Sequence, residues 1–353
     1  MASVRENLRH NLAIMSEKIL LTGGAGFIGS HTYVALIKAG FDVVILDNFE
    51  NSRTNVPDRL CDITGQPTQV IDADIRDKSR MAAVFEQHGF DAVVHFAAKK
   101  SIPEGEADPA TYYRTNCVGL MNVAEAAFDQ GAKAFVFSSS AAVYGNTNAV
   151  PIIEDTPVSP QNTYARTKAI GETYLQDLGR VNPGCAIGIL RYFNPVGAHP
   201  SGLLGEDPAQ PPTNLVPVIA QVAKGILPEL QIFGSDYPTA DGTGIRDYIH
   251  VEDLAHGHVL ALQSLLETGD NHLVNLGTGK GHSVQEVLSA YSAVLGRDLP
   301  YKVAARRPGD AAVSFASVLH ASNLLGFQAR HTLAEMCESN WAFAQSSAAP
   351  GSP

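Results

Sequence analysis

The sequence predicts an α/β fold: a doubly wound parallel sheet followed by a smaller mixed α/β region. Three observations carry this expectation. Short apolar runs alternate with helix-length segments at βαβ spacing from residue 18 to residue 190. The first run ends in a glycine-rich turn that opens a helix-length segment. Small and polar residues suited to chemistry fall at the carboxyl ends of the runs, where an open parallel sheet binds its ligands.

Lys18-Ile19-Leu20-Leu21-Thr22 is the first strand, and Gly23-Gly24-Ala25-Gly26-Phe27-Ile28-Gly29 follows it. Ser30 to Lys38 then reads as a helix, stopped by Ala39-Gly40, and Phe41–Leu46 reads as a second buried strand that ends at Asp47. A glycine-rich turn by itself is often only a tight turn. With a strand before it, a helix behind it and an acid 18 residues beyond Gly29, it is a dinucleotide-binding unit. Gly23, Gly26 and Gly29 let the backbone approach a pyrophosphate at the helix N-terminus, where free N–H groups favour anions. Asp47 is placed to accept hydrogen bonds from the adenosine ribose. A carboxylate there repels a 2′-phosphate, so NAD is expected rather than NADP.

Further strands follow at the same spacing. Thr68–Ala73 leads to Asp74, placed to meet the adenine amine, and Asp91–Phe96 leads to Ala97-Ala98, small enough for a cofactor to lie close. Lys133–Ser138 delivers Ser140, and Ala186–Leu190 delivers Arg191-Tyr192-Phe193-Asn194. Helices over 109–130 and from Tyr164 to about Gly179 are long enough to cover one face of the sheet.

Ser140 precedes Tyr164-Ala165-Arg166-Thr167-Lys168. A tyrosine and a lysine four apart share one face of a helix, so the ammonium is expected beside the phenol, favouring its anion. Lowering a phenol from about 10 by roughly three units takes about 4 kcal/mol of preferential stabilisation, within reach of one close cation in a dehydrated site. Ser140 would hold the substrate hydroxyl that the phenolate deprotonates. Such a trio removes a proton from an alcohol while a hydride leaves the same carbon.

From about Asn194 the texture changes: prolines at 195, 200, 208, 211, 212 and 217 crowd a stretch rich in glycine, which reads as a loop-rich substrate region. Arg246 and Arg306-Arg307 are its conspicuous cations. Two separated arginines at a cleft would clamp a diphosphate through bidentate contacts; the spacing equally accommodates surface pairs with Asp247 and Asp310. His95, His250 and His256 read as structural. The expected organisation is a disordered extension over 1–15, a cofactor domain over 16–193, a substrate domain over 194–345 and a tail over 346–353. A segment near 246–265 is expected to pack back on the first domain.

Composition sets outer limits. The chain has 353 residues, 45% hydrophobic and 17% charged, as in an ordinary globular protein. A net charge of −11 argues against a nonspecific grip on nucleic acid or an anionic membrane. No run of 18 apolar residues offers a membrane span. The first 15 residues hold no apolar signal core, and Met15 is an alternative start. The four cysteines are scattered without metal-ligand spacing, which fits a reducing, cytoplasmic setting and no metal.

Longer motifs sharpen this. Thr22 to Thr32, Leu46-Asp47-Asn48, the run Leu190-Arg191-Tyr192-Phe193-Asn194-Pro195-Val196-Gly197-Ala198-His199-Pro200, Asp236-Tyr237-Pro238 and Asp241 to Val251 belong to one signature. From about Lys18 to Trp341 the chain resembles the UDP-glucose 4-epimerase (UDP-galactose 4-epimerase) group of the extended short-chain dehydrogenase/reductases, which implies a Rossmann fold. The resemblance implies Tyr164 as acid/base, Lys168 as its activator and a ribose ligand, and Ser140 as partner of the substrate hydroxyl. Beside the glycine turn and Asp47 it places Phe27, Ile28, Asn48, Asn51, Ser52, Asp74, Ile75, Phe96, Ala97, Ala98, Lys100, Asn116 and Phe193 on the cofactor. It places Asn194, Asn214, Leu215, Gln231, Phe233, Arg246, Arg307 and Asp310 on the uridine and diphosphate of a UDP-hexose. It further implies a tightly bound NAD that takes hydride from C4 and returns it to the other face of a transient 4-keto sugar. A homodimer is implied too, built from the helices near 109–130 and 164–179.

Departures from the group's pattern give three expectations. Lys99 and Pro103 are unusual in their loop, which implies a different shape beside the nicotinamide. Ala165 replaces a common glycine, a change a helix welcomes. Ser314 stands where some relatives carry a bulky tyrosine beside the sugar's C2 group; either it leaves room for an N-acetyl group or its neighbours fill the space. Two rivals differ in kind. A sugar-nucleotide 4,6-dehydratase needs an added carboxylate pair where this chain has Ala141 and Ala142. A non-catalytic NAD sensor has no need of Ser140, Tyr164 and Lys168 together.

Overall fold

The computed structural model describes residues 16–307 and 309–346; the expected extension over 1–15 and all of the tail after Ser346 lie outside the described residues. Seven parallel strands form the main sheet. In chain order the first six are β1 (Lys18–Thr22), β2 (Asp42–Asp47), β3 (Gln69–Asp72), β4 (Ala92–His95), β5 (Ala134–Ser140) and β6 (Ala186–Tyr192). The sheet runs His272–Leu276, β6, β5, β4, β1, β2, β3, so its order reverses between β1 and β4. That reversal opens a crevice at the strands' carboxyl ends.

The strands read as continuous apolar runs because both faces are covered. Alternate residues serve opposite faces: Ile19, Leu21, Val43, Ile45 and Val94 enter one core, and Leu20, Val44, Leu46, Val93 and Phe135 the other. The helices Phe27–Lys38 and Val251–Thr268 pack on each other over the first face, so residues distant in sequence close the fold there. The helices Lys78–His88, Leu120–Asp129 and Thr163–Val181 cover the second face.

Several boundaries depart from expectation. The first helix starts at Phe27, three residues early, because Gly26 already has the extended backbone of an N-cap. Phe27, Ile28 and Gly29 are therefore its first turn. The segment 109–130 is helical through Asp129 yet widens into a π-helix over Tyr113–Gly119. Such segments often mark functional positions, and this one carries Asn116. β5 and β6 each run two residues further than expected, which makes Ser140 the last strand residue and puts Arg191 and Tyr192 inside a strand. After residue 194 a third core gathers Val216, Ile219, Ile232, Val287, Tyr291 and Met336. Short two- and three-stranded sheets accompany it, and their strands supply Val196, Ile232 and Tyr248 to that core.

Candidate active site

The glycine turn is built for close approach. Gly23 has φ +68°, and a Cβ there would lie 2.7 Å from the Ala97 backbone nitrogen, so β1 and β4 meet without side chains between them. A Cβ on Gly29 would lie 2.3 Å from the Gly23 carbonyl, so the helix can seat on the turn only with glycine there. The turn and the helix N-terminus leave a cradle that Phe27, Asn51, Ser52 and Lys100 help to line. These features fit a dinucleotide pyrophosphate. Asp47 is spent on the cradle itself. Its carboxylate accepts from Ala25 N at 3.0 Å, Phe49 N at 2.9 Å and the Ser52 hydroxyl at 3.0 Å, and burial holds it above the ordinary carboxylate range. It ties the turn to the 49–52 loop.

Asp74 and Asn48 are joined to each other at 3.2 Å, and Arg76 holds Asp74 down at about 2. Both stand at the carboxyl ends of β2 and β3. Ile75 and Phe193 are 4% and 7% exposed and belong to the cores. Phe96 packs its ring on His258 at 4.7 Å.

Asn116 links the cofactor side to the proposed acid/base. Its amide accepts from Lys99 N at 2.8 Å and donates to the Lys99 carbonyl at 2.9 Å and the Thr167 hydroxyl at 3.0 Å. The unusual loop is thereby pinned: Lys99 pairs with Glu50, and Pro103 sits in the first turn of a short helix, Ile102–Ala107.

Ser140, Tyr164 and Lys168 converge at the end of β5. The Ser140 hydroxyl stands close enough to the Tyr164 phenol to favour its anion, and it also caps the following turn by accepting from Ala142 N at 3.2 Å. Lys168 Nζ donates to the Ser138 carbonyl at 2.6 Å and lies 5.9 Å from the centroid of the Tyr164 ring. Burial pushes Tyr164 above the ordinary tyrosine range and Lys168 down to about 8. Desolvation of a phenolate outweighs one hydroxyl.

The expected substrate residues form a second cluster. Arg307 stacks on Phe233 at 3.9 Å from the ring centroid, and Arg246 pairs with Asp310 at 3.7 Å. Among the described residues no arginine pairs with Asp247. Asp247 is fully buried and accepts from Thr278 N, Thr278 Oγ1, Gly279 N and Ala316 N, which knots three strands' ends together. Ser314 lies in register with Arg246, and Gln231 lies two residues before Phe233 on the Leu230–Phe233 strand. Asn194 is exposed beside this knot, its N–H donating to the Asp247 carbonyl. Asn214 and Leu215 open the Leu215–Ala223 helix.

Sequence reasoning missed Glu206. One of its carboxylate oxygens accepts from Lys100 at 2.7 Å and from Asn214 at 2.8 Å, joining an expected cofactor ligand to an expected substrate ligand. No local pattern announced it. Glu172, one turn beyond Lys168, was also missed, although its spacing was visible. Among the described residues no group of three or more His, Cys, Asp or Glu is placed to hold a metal ion, and no helix is long and apolar enough to cross a membrane.

A profile of the NAD dependent epimerase/dehydratase family matches residues 19–277. The chain is similar to the UDP-glucose 4-epimerase of Bacillus subtilis (strain 168), 47% identical over 323 residues that cover 92% of this chain and 95% of that protein. It is similar to a crystal structure of UDP-glucose 4-epimerase from Stenotrophomonas maltophila with bound NAD and formylated UDP-arabinopyranose, at TM-score 0.92 and 48% identity, covering 94% and 98% of the two chains. It is also similar to the UDP-Glc/GlcNAc 4-epimerase of Campylobacter jejuni, at TM-score 0.82 and 37% identity, covering 94% and 100%.

Proposed function

The chain belongs to the NAD dependent epimerase/dehydratase family, and we propose that it inverts C4 of a UDP-hexose, interconverting UDP-glucose and UDP-galactose. It is an isomerase that uses NAD. The observation that carries this reading is the convergence of Ser140, Tyr164 and Lys168 at the end of β5, in a chain 47% identical to a UDP-glucose 4-epimerase across nearly its whole length.

Bound NAD supplies a hydride acceptor at C4 and a positive charge that favours the phenolate. The chain's own residues do the rest. Gly23, Gly26 and the start of the first helix hold the pyrophosphate, with Asn51, Ser52 and Lys100 at its side. Ser140 orients the C4 hydroxyl, Tyr164 takes its proton and later returns it, and Lys168 keeps its charge beside the phenol. Arg246 and Arg307 hold the diphosphate, Phe233 supports the uridine, and Asn194, Asn214, Leu215 and Gln231 line the rest. These contacts would keep the UDP anchored while the sugar alone reorients. A tightly bound cofactor follows, because each turnover regenerates it in place.

A second substrate class is part of the proposal. Ser314 is small and stands in register with Arg246, and a similar enzyme acts on UDP-Glc and UDP-GlcNAc. Replacing Ser314 with Tyr should selectively remove activity on UDP-GalNAc; equal loss on both substrates would discard it.

We also propose a homodimer and a cytoplasmic location. Val118 and Ile170, on the helical segments 113–129 and 163–181, are 47% and 39% exposed, as a helix-pairing surface requires. All four cysteines are free. The direct test is to give the purified protein UDP-galactose and UDP-GalNAc separately, without added NAD, and follow the anomeric NMR signals. Conversion of UDP-galactose supports the reading. Conversion of neither, even with NAD supplied, overturns it.

A further inference from the structure

Three residues one turn apart on the Thr163–Val181 helix face three successive residues at the end of β5. The Tyr164 phenol stands near the Ser140 hydroxyl, the Lys168 ammonium donates to the Ser138 carbonyl at 2.6 Å, and the Glu172 carboxylate accepts from the Ser139 hydroxyl. Positions i, i+4 and i+8 share one helix face, so the three rungs form a single ladder. The chemistry above uses only two of them.

Glu172 is 4% exposed, and a buried carboxylate is costly without partners. Arg191, 4% exposed on β6, supplies them bidentately at 2.9 and 2.6 Å. Arg191 is fixed in turn: it donates to the Glu154 carbonyl at 3.1 Å and stacks 4.8 Å from the centroid of the Tyr144 ring. A buried ion pair adds little stability over apolar packing of the same volume. Its place, directly under the reacting trio, points to a different use.

We propose that Glu172, braced by Arg191, is a positioning residue for the proton transfer: it holds the end of β5 and Lys168 at the height where Ser140 and the ammonium both serve Tyr164. The proposal rests on the epimerase reading. The groups that face Lys168 are Tyr164 and Glu172 on its own helix, Cys117 on the π-helix, His95 on β4, and the Ser138 carbonyl and Phe137 ring on β5. Burial keeps the Cys117 thiol up at about 11 and His95 down at about 3, so both are neutral near pH 7. Burial is the larger influence and lowers Lys168 to about 8; Glu172, ion-paired with Arg191, acts against it.

The test is Glu172→Gln, which keeps the size and an acceptor for Ser139. Three quantities are read: kcat and KM for UDP-galactose across pH, the NMR titration of the Lys168 15Nζ in the holoenzyme, and the melting curve. We expect kcat to fall on the order of tenfold while KM stays within about twofold. The Lys168 titration, and the limb of the pH profile that tracks it, should move to lower pH. Glu172→Asp, which restores the charge, should bring both back toward the wild type. If Glu172→Gln does not fold, Glu172→Gln combined with Arg191→Gln, which removes both charges together, is read by kcat against KM alone, and a kcat within about twofold of the wild type overturns the proposal. An unmoved Lys168 titration, whatever the loss of activity or stability, makes Glu172 structural and overturns the proposal. Failure of the wild type to convert UDP-galactose would instead overturn the epimerase reading, and the Lys168 titration would still decide this one.

Discussion

Lys168 donates its ammonium to the carbonyl of Ser138 at 2.6 Å, with the same nitrogen 5.9 Å from the centroid of the Tyr164 ring. The cation is held to the strand end and reaches the phenol through space. Burial meanwhile raises Tyr164 and lowers Lys168 to about 8, so both groups resist the charged forms that proton transfer requires.

Lys168→Met removes the chain's own cation from the phenol. Loss of a nearby positive charge disfavours the phenolate, so the base needs a higher pH to ionise. Turnover of UDP-galactose at pH 7 should fall by about 10² or more, and the residual rate should keep rising with pH beyond the wild-type optimum. Rate measurements across pH check this; an unshifted profile would contradict it.

Gly29→Ala tests the cradle. In an ordinary helix this change would stabilise by about 1 kcal/mol. Here the new Cβ would lie 2.3 Å from the Gly23 carbonyl, so the turn must shift away from the pyrophosphate. The variant should purify with less NAD and melt at a lower temperature. Full cofactor content with an unchanged or higher melting temperature would count against the cradle.

Acid should loosen the fold through its buried histidines. Burial lowers His31 and His95 to about 3 and His258 to about 4, against an ordinary value of 6.5. They are neutral when folded and take up protons when unfolded. Their contribution is therefore complete above pH 6.5 and lost progressively as pH falls from 6.5 toward 4. Melting temperatures across that range should decline steeply. Replacing His258 with Asn should flatten the decline; an equally steep slope would exonerate that residue.

The parts of the site legible in the sequence are those whose partners lie close in the chain. Gly23, Gly26 and Gly29 announce a turn because their spacing is a backbone requirement, and Tyr164 and Lys168 announce a shared face because a helix repeats every 3.6 residues. Glu172 obeys the same rule and was readable in principle. Glu206 was not: it meets Lys100 from across the cleft, and a contact 106 residues apart leaves no local pattern. Asp247 misled for the opposite reason. It neighbours Arg246 in sequence, yet consecutive strand residues point to opposite faces, and Asp247 turns inward to Thr278 and Ala316. Spacing puts Tyr164 and Lys168 on one face and says nothing of the burial that raises the phenol.

Hydride return to C4, with Tyr164 handling the proton, is open to direct measurement: UDP-galactose carrying deuterium at C4 is supplied in ordinary water without added NAD, and C4 of the product is examined by NMR. The expected product is UDP-glucose with its deuterium retained at C4, with no turnover of the label in a Tyr164→Phe variant that still holds NAD. Product in which C4 carries solvent hydrogen would contradict it, because inversion would then proceed by proton exchange rather than by hydride return.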